Sequence, residues 1–517
     1  METSLGKLQR LVDKQSKQII ELKDKLNKEQ EKNKNLNKQI DYYKDHINEM
    51  VEKAIQKQLI PILEENKKLK EENEHLKRIL NNDSNTTGIP TSKTPIGKEK
   101  RIPNSRKETN NSKGGQPGHK KSKLEKFNDN EITDTYTHEI ANNHCSCGGT
   151  LLIIGKKEKD EFEIDIRLKK IRHEFMEYEC SCCHKKINVP IPNNLKEDNQ
   201  YGPKAQAMAL ALVNEGYVSF HRTKELISGF TNNEMNMSEG FIAKLQKRCF
   251  NKLSDFDKEL HKKILSQKIL HWDDTAISID KKQSCLRFYG TEKLAYYKVH
   301  NKKDKVGLDE DGILSFLPSD CVVIHDHNIV NYNDEYIFTN AECCVHLIRD
   351  LRKLNDVLPR EWIKELIDLL VTTNNKRKEY INQSIMYFDQ EVTDKAIEKY
   401  DEILKQAHEI NKKDFNNYYG NEEKKLIRRL EKYKDNYLLW VLRFDVPFSN
   451  NLSERSLRSS KTKMKVSGQF SNIQNAEYFA RIKSYIETCK RNGINIYDAL
   501  CKLINDEPYK IEDMKID

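Results

Sequence analysis

Apolar positions recur in alternating steps of three and four over the first 50 residues: Leu5, Leu8, Val12, Ile19, Leu22, Leu26, Leu36, Ile40, Tyr43, Ile47 and Met50. Nearly all residues between them are strong helix formers, so the pattern predicts one long amphipathic helix with a heptad seam. Gln15, Glu29 and Asn33 fall on the seam and weaken it. Pro61 is expected to interrupt the helix, after which the repeat restarts in a new phase. There Ile62, Leu69 and Leu76 alternate with Asn66, Asn73 and Leu80. Asparagine at one seam position and leucine at the other suits a parallel two-stranded coiled coil; a single solvated helix is the other reading.

Beyond residue 80 the periodicity stops. Asn, Ser, Thr, Pro and Gly dominate to about residue 126, the composition of a linker. From Lys93 to Lys126 there are 11 Lys or Arg against three Glu, centred on SKGGQPGHKK, residues 112–121. Such a tract suits either phosphate neutralisation or a soluble tether. Residues 201–260 read as short helices, with Ser238 a candidate N-cap. They fit a helix-turn-helix or an ordinary helical spacer.

Period-two patterning takes over near residue 270. LHWDDTAISID (270–280), SCLRFYG (284–290) and LAYYKVH (294–300) read as strands, the last two joined by the turn-like TEK. DCVVIHDHN (320–328) is an apolar strand ending in Asp326. AECCVHLIRDLRKL (341–354) passes from strand to helix. This order predicts an α/β domain with a central sheet, in which a carboxylate of the first strand and one at the end of the fourth lie side by side. Alternation places Asp273 and Asp274 on opposite faces without saying which face carries chemistry.

The chain has 517 residues, enough for several domains; 36% are hydrophobic and 33% charged. A net charge of +9 is too mild to establish nucleic-acid binding, so local clustering matters more. No run is long and apolar enough to span a membrane, and METSLGKLQR opens no signal region, so a cytoplasmic protein is expected. In that compartment the 12 cysteines are thiols or metal ligands rather than disulfides. Five fall between Cys145 and Cys183, in HCSCGG (144–149) and ECSCCHKK (179–186). Two close pairs separated by a β-like stretch predict a zinc ribbon holding one structural Zn²⁺. The favoured ligands are Cys145, Cys147, Cys180 and Cys183, with His144 as a substitute for Cys145.

A third acid stands in VPFSNNLSERSLRSSKTKMKVSG, residues 446–468. Glu454 follows a polar turn into a helix, and Arg458 lies one turn on. Arg455, Arg458, Lys461, Lys463 and Lys465 follow with no acid among them. An acid beside a cationic run suits a polyanion with a reacting phosphodiester.

Together these segments resemble the transposases of the insertion-sequence-66 family, sometimes called transposase C. The resemblance rests on the leading coiled coil, GGQPGHK, the cysteine-rich segment, HWDDT, the second aspartate after an apolar strand, CCVH (Cys343 to His346), VPFSNNLSERSLR and KRNG at 490–493. It implies a ribonuclease-H-like catalytic domain with an Asp-Asp-Glu triad at Asp273, Asp326 and Glu454. Asp274 stands where the family usually has glutamate. The implied organisation is a coiled coil (1–80), a basic linker (81–135), a zinc-ribbon-like DNA-binding domain (136–200) and a helical, helix-turn-helix-like segment (201–264). The catalytic domain follows in two parts (265–351 and 446–517) around a helical insertion (352–445).

The implied cofactors are two Mg²⁺ or Mn²⁺ ions at the three acids. The implied partners are double-stranded DNA, both transposon ends and target, with a second copy of the chain through the coiled coil and helper proteins of the same element. Two other classes fit parts of the pattern: a non-catalytic DNA-binding regulator, and a cellular nuclease of the same fold.

Overall fold

The computed structural model describes residues 4–81, 125–141, 144–192, 195, 197–414 and 418–514. Most of the basic linker, including SKGGQPGHKK, lies outside the described residues. Two units result, residues 1–97 and 98–517.

The described residues of the first unit form one helix, α1 (Ser4–Asn81). It runs through Pro61, where an interruption was expected. Proline removes one backbone donor and crowds the carbonyl four residues back, at a local cost of about 3 kcal/mol. The Lys-, Glu- and Leu-rich turns on both sides outweigh that defect. The seam faces solvent in the single chain, with Leu22 63% and Met50 69% exposed.

The first strands among the described residues of the second unit form a small antiparallel hairpin, β1 (Glu177–Glu179) and β2 (Lys186–Asn188). The expected β-like stretch between the cysteine pairs forms no strand from residue 151 to 176. Four helices follow: α2 (Pro203–Asn214), α3 (Phe220–Phe230), α4 (Glu239–Lys252) and α5 (Ser254–Leu265). Ser238 caps α4 as expected, its side chain accepting from the Phe241 N–H.

The sheet has five strands: β3 (Ile269–Ile279), β4 (Lys282–Gly290), β5 (Ala295–His300), β6 (Val322–His325) and β7 (Thr339–Glu342). Their order is β5-β4-β3-β6-β7. The first three pair antiparallel; β3–β6 and β6–β7 pair parallel. A short helix, α6 (Lys305–Glu310), lies between β5 and β6. From β7 the chain enters α7 (Cys344–Val357), then α8 (Glu361–Asn382), α9 (Gln390–Asp414), α10 (Tyr418–Lys432) and α11 (Lys434–Leu442). It closes with α12 (Asn451–Ser467), α13 (Ile473–Arg491) and α14 (Ile496–Ile504).

Helices cover the sheet on both faces, as its near-continuous apolar strands require. One core joins Leu270, Trp272, Tyr289 and Val323 to residues of α2, α4, α5, α13 and α14. Residues 201–264 are therefore built into the domain rather than appended to it. On the other face Ile277, Ile279 and Phe288 pack with Leu452 and Leu457 of α12. Val322 and Ile324 pack there with α7 to α11.

Candidate active site

Strand register brings the first two acids together. Ile269, Leu270 and His271 of β3 stand opposite Val322, Val323 and Ile324 of β6. Asp273 and Asp326 each lie two residues beyond the last pair, Asp326 just past the end of β6. Alternation turns both toward the face covered by α7 and α12, the side of Ile277 and Ile324. Asp274 turns to the other side and pairs with Lys303 at 2.6 Å.

Glu454 enters over the same face from the first turn of α12. His346 of α7 links it to Asp326: Nδ1 is 2.8 Å from Asp326 Oδ1, and Nε2 is 3.3 Å from Glu454 Oε1. Arg349, one turn further along α7, donates to both Glu454 oxygens at 2.9 and 3.3 Å.

The electrostatics follow from this crowding. Desolvation, then the charges of Asp326 and Asp274, push the Asp273 pKa well above the usual carboxylate range. Burial alone would raise that of Glu454, but Arg349 and His346 outweigh it and the net shift is downward. Burial opposes charging of His346, yet the adjacent Asp326 and Cys343 overcome it and hold its pKa up to about 11. Arg349 Nη1 lies 2.8 Å from Nε2 and opposes that charge. Asp326 and Cys343 prevail over this one cation.

The donor set fits a divalent cation. His346 Nδ1 hydrogen-bonds with Cys343 Sγ at 3.4 Å, and Asp326 Oδ1, although 2.8 Å from Nδ1, has no hydrogen-bond partner. That oxygen is thus buried without an aligned donor, beside a second carboxylate whose charge it repels. A cation relieves both penalties. Among the described residues, one group of three metal-capable side chains has all its ligand atoms within 4.8 Å: Asp326, Cys343 and His346.

The basic run after Glu454 divides by helical face. Arg455, Arg458 and Lys465 are exposed and Lys461 is partly exposed. Arg458 is 70% exposed and 3.6 Å from Glu454, a loose pair. Lys463 does not continue the stripe, contrary to expectation: it is buried with Leu452, Ser456 and Ser460 on the face turned to the sheet. A linear run of lysines spans every face of a helix, and only some of them remain outside.

The cysteine segment forms two separate turns. The Cys145 N–H donates to the Gly149 carbonyl at 2.8 Å, and the Gly148 N–H donates to the Cys145 carbonyl at 2.9 Å. His144 bridges to Thr150. In the second turn the His184 N–H donates to the Cys180 carbonyl at 2.9 Å, between β1 and β2. Backbone donors at Cys147 and Cys183 lower the thiol pKa of Cys145 and Cys180, respectively. Among the described residues no third metal-capable side chain joins either pair within metal-ligand spacing.

Local sequence pattern gives no role to His346, Arg349 or Asn450. A signal for the first two exists: Cys343, His346 and Arg349 recur every three residues, hence share one helical face.

Comparison with known families gives the class. The sequence model described as Transposase IS66 family matches residues 198–478, which spans α2 through the start of α13. That is more than half of the chain, and the chain belongs to the IS66 family of transposases. Membership implies DNA binding, a part in DNA transposition and use of a divalent metal. No curated protein matches the chain. No helix among the described residues is long and apolar enough to cross a membrane.

Proposed function

We propose that this chain cleaves DNA strands at the ends of an insertion sequence and joins them to target DNA, with Asp273, Asp326 and Glu454 as the metal-holding acids. The observation that carries this reading is the meeting of Asp273 and Asp326 across β3 and β6, with Glu454 tied to Asp326 through His346. The mixed five-stranded sheet with helices on both faces supports a ribonuclease-H-like domain.

Bound at these acids, Mg²⁺ or Mn²⁺ ions would supply activation of an attacking water or DNA 3′-hydroxyl and stabilisation of the leaving oxygen. The chain itself holds the carboxylates in place and neutralises the DNA backbone. In the metal-free chain His346 and Arg349 balance Asp326 and Glu454. Exposed Arg455, Arg458 and Lys465 lie on the helix that carries Glu454, where they would hold phosphates of the transposon end. In-line displacement at phosphorus needs no covalent enzyme intermediate, so the site has no need of a nucleophilic side chain.

The exposed seam of α1 supports pairing of two chains, so that two ends are cut together. The two cysteine turns support a zinc ribbon that would recognise the end. Metal affinity would draw the turns together, since a small ribbon buries too little apolar surface to fold alone. The direct test is incubation of the full chain with duplexes carrying the element's end. Strand cleavage dependent on Mg²⁺ and joining of the released 3′-hydroxyl to a second duplex are expected. DNA binding without cleavage would favour a regulator, and cleavage without joining a nuclease.

A further inference from the structure

Asn450 precedes α12, where an asparagine ordinarily accepts a backbone N–H of the first turn. Here its side chain makes no such cap. It is fully buried and bonded elsewhere. Nδ2 donates to the Trp272 carbonyl at 2.8 Å. Oδ1 accepts from His271 Nδ1 at 3.0 Å and from Ser453 Oγ at 2.9 Å. The Asn450 backbone N–H donates to Cys343 Sγ at 3.1 Å. Because the Trp272 carbonyl can only accept, the amide has one orientation, and that orientation requires the Nδ1–H tautomer of His271.

One residue thus joins β3, α12 and the start of α7, three of the elements around the acids. It grips the backbone of β3 immediately before Asp273. It holds the residue just before α7, three positions before His346. It immediately precedes the helix that presents Glu454. Packing alone would be served as well by an apolar residue, and the helix end by an ordinary cap. The observed bonds fix instead the depth and rotation of α12 against β3.

We propose that Asn450 is a positioning residue for the acid cluster: its amide locks α12 to β3 so that Glu454 reaches Asp273 and Asp326, while Asn450 itself touches neither metal nor DNA. This rests on the metal-dependent reading above. Partners that orient metal ligands in this way typically cost about 10- to 100-fold in metal affinity when removed.

Mn²⁺ binding to the full chain, followed by water-proton relaxation, reads the cluster without turnover; thermal unfolding of the same samples reports the fold. The relevant binding is the part abolished by Asp273→Asn. Asn450→Ala should weaken it about 10- to 100-fold at temperatures where the variant is folded. Asn450→Asp has the same shape and keeps the acceptor for His271 and Ser453, but loses the donor to Trp272. It should weaken binding in the same direction, and it serves if the alanine variant does not fold. Leu500→Ala, a fully buried packing loss on α14, should lower stability while leaving Mn²⁺ affinity within about twofold. Wild-type affinity in the folded Asn450 variants, or an equal loss in Leu500→Ala, overturns the proposal. A wild-type chain with no Asp273-dependent Mn²⁺ binding overturns the metal reading itself, and this proposal with it.

Discussion

Asp273 of β3 and Asp326, one residue past the end of β6, each lie two positions beyond the registered pair His271 and Ile324, close enough for the charge of Asp326 to act on Asp273. Two carboxylates held this way repel, and the protonated form of Asp273 is favoured. An acid whose pKa rises on folding contributes stability fully below its unfolded value, about 3.8, and loses it as pH rises through the raised folded value. The metal-free chain therefore carries a penalty at neutral pH. Asp273→Asn should raise its stability by about 1–2 kcal/mol at pH 7, with the gain shrinking toward acidic pH, while abolishing divalent-metal binding at the acid cluster. Denaturant unfolding with and without metal checks this; a destabilised metal-free variant would contradict the repulsion.

Arg458 sits at the rim of this cluster. Its 70% exposure and 3.6 Å separation from Glu454 favour a contact with DNA phosphate over orientation of the acid. Arg458→Ala should weaken binding to all DNA sequences and lower the salt slope by about one. A wild-type slope with slower cleavage would assign it to orienting Glu454.

Lys463 behaves oppositely. It is 7% exposed, and burial lowers its pKa. The unfolded chain therefore holds this proton more tightly, and stability rises with pH between the lowered value and 10.5. Lys463→Met should stabilise the protein by about 1–2 kcal/mol at pH 7, less at strongly alkaline pH, and leave the salt slope of DNA binding unchanged. A reduced slope would return Lys463 to the DNA contacts.

The strands were legible because period-two patterning is local, and Asp326 was legible because it ends an apolar run. The split of Asp273 and Asp274 between faces was legible too, but not which face mattered, since that depends on the arrival of α12. Asn450 contacts β3 from 178 and 179 positions away, and Arg349 meets Glu454 across 105; no spacing rule carries that far. Lys463 could have been separated from its neighbours by helical period alone. Pro61 misled because a proline in a long run of strong helix formers is a local defect rather than an end.

For the cysteine turns, freshly purified protein should contain one Zn²⁺ per chain. Replacing Cys145 and Cys180 with serine should remove it. The favoured set takes two thiols from each turn, and a structural zinc site needs four ligands in one place. Elemental analysis finding no zinc in the wild-type chain would rule out the ribbon.

The most direct measurement of the central claim is strand cleavage of an element-end duplex by three variants, Asp273→Ala, Asp326→Ala and Glu454→Ala, beside Asp274→Ala. Each of the first three should lose Mg²⁺-dependent cleavage by at least about 1,000-fold while binding the end as the wild type does. Asp274→Ala, whose carboxylate faces Lys303 on the other side of the strand, should retain activity. Cleavage that survives in Asp273→Ala and disappears in Asp274→Ala would contradict the assignment.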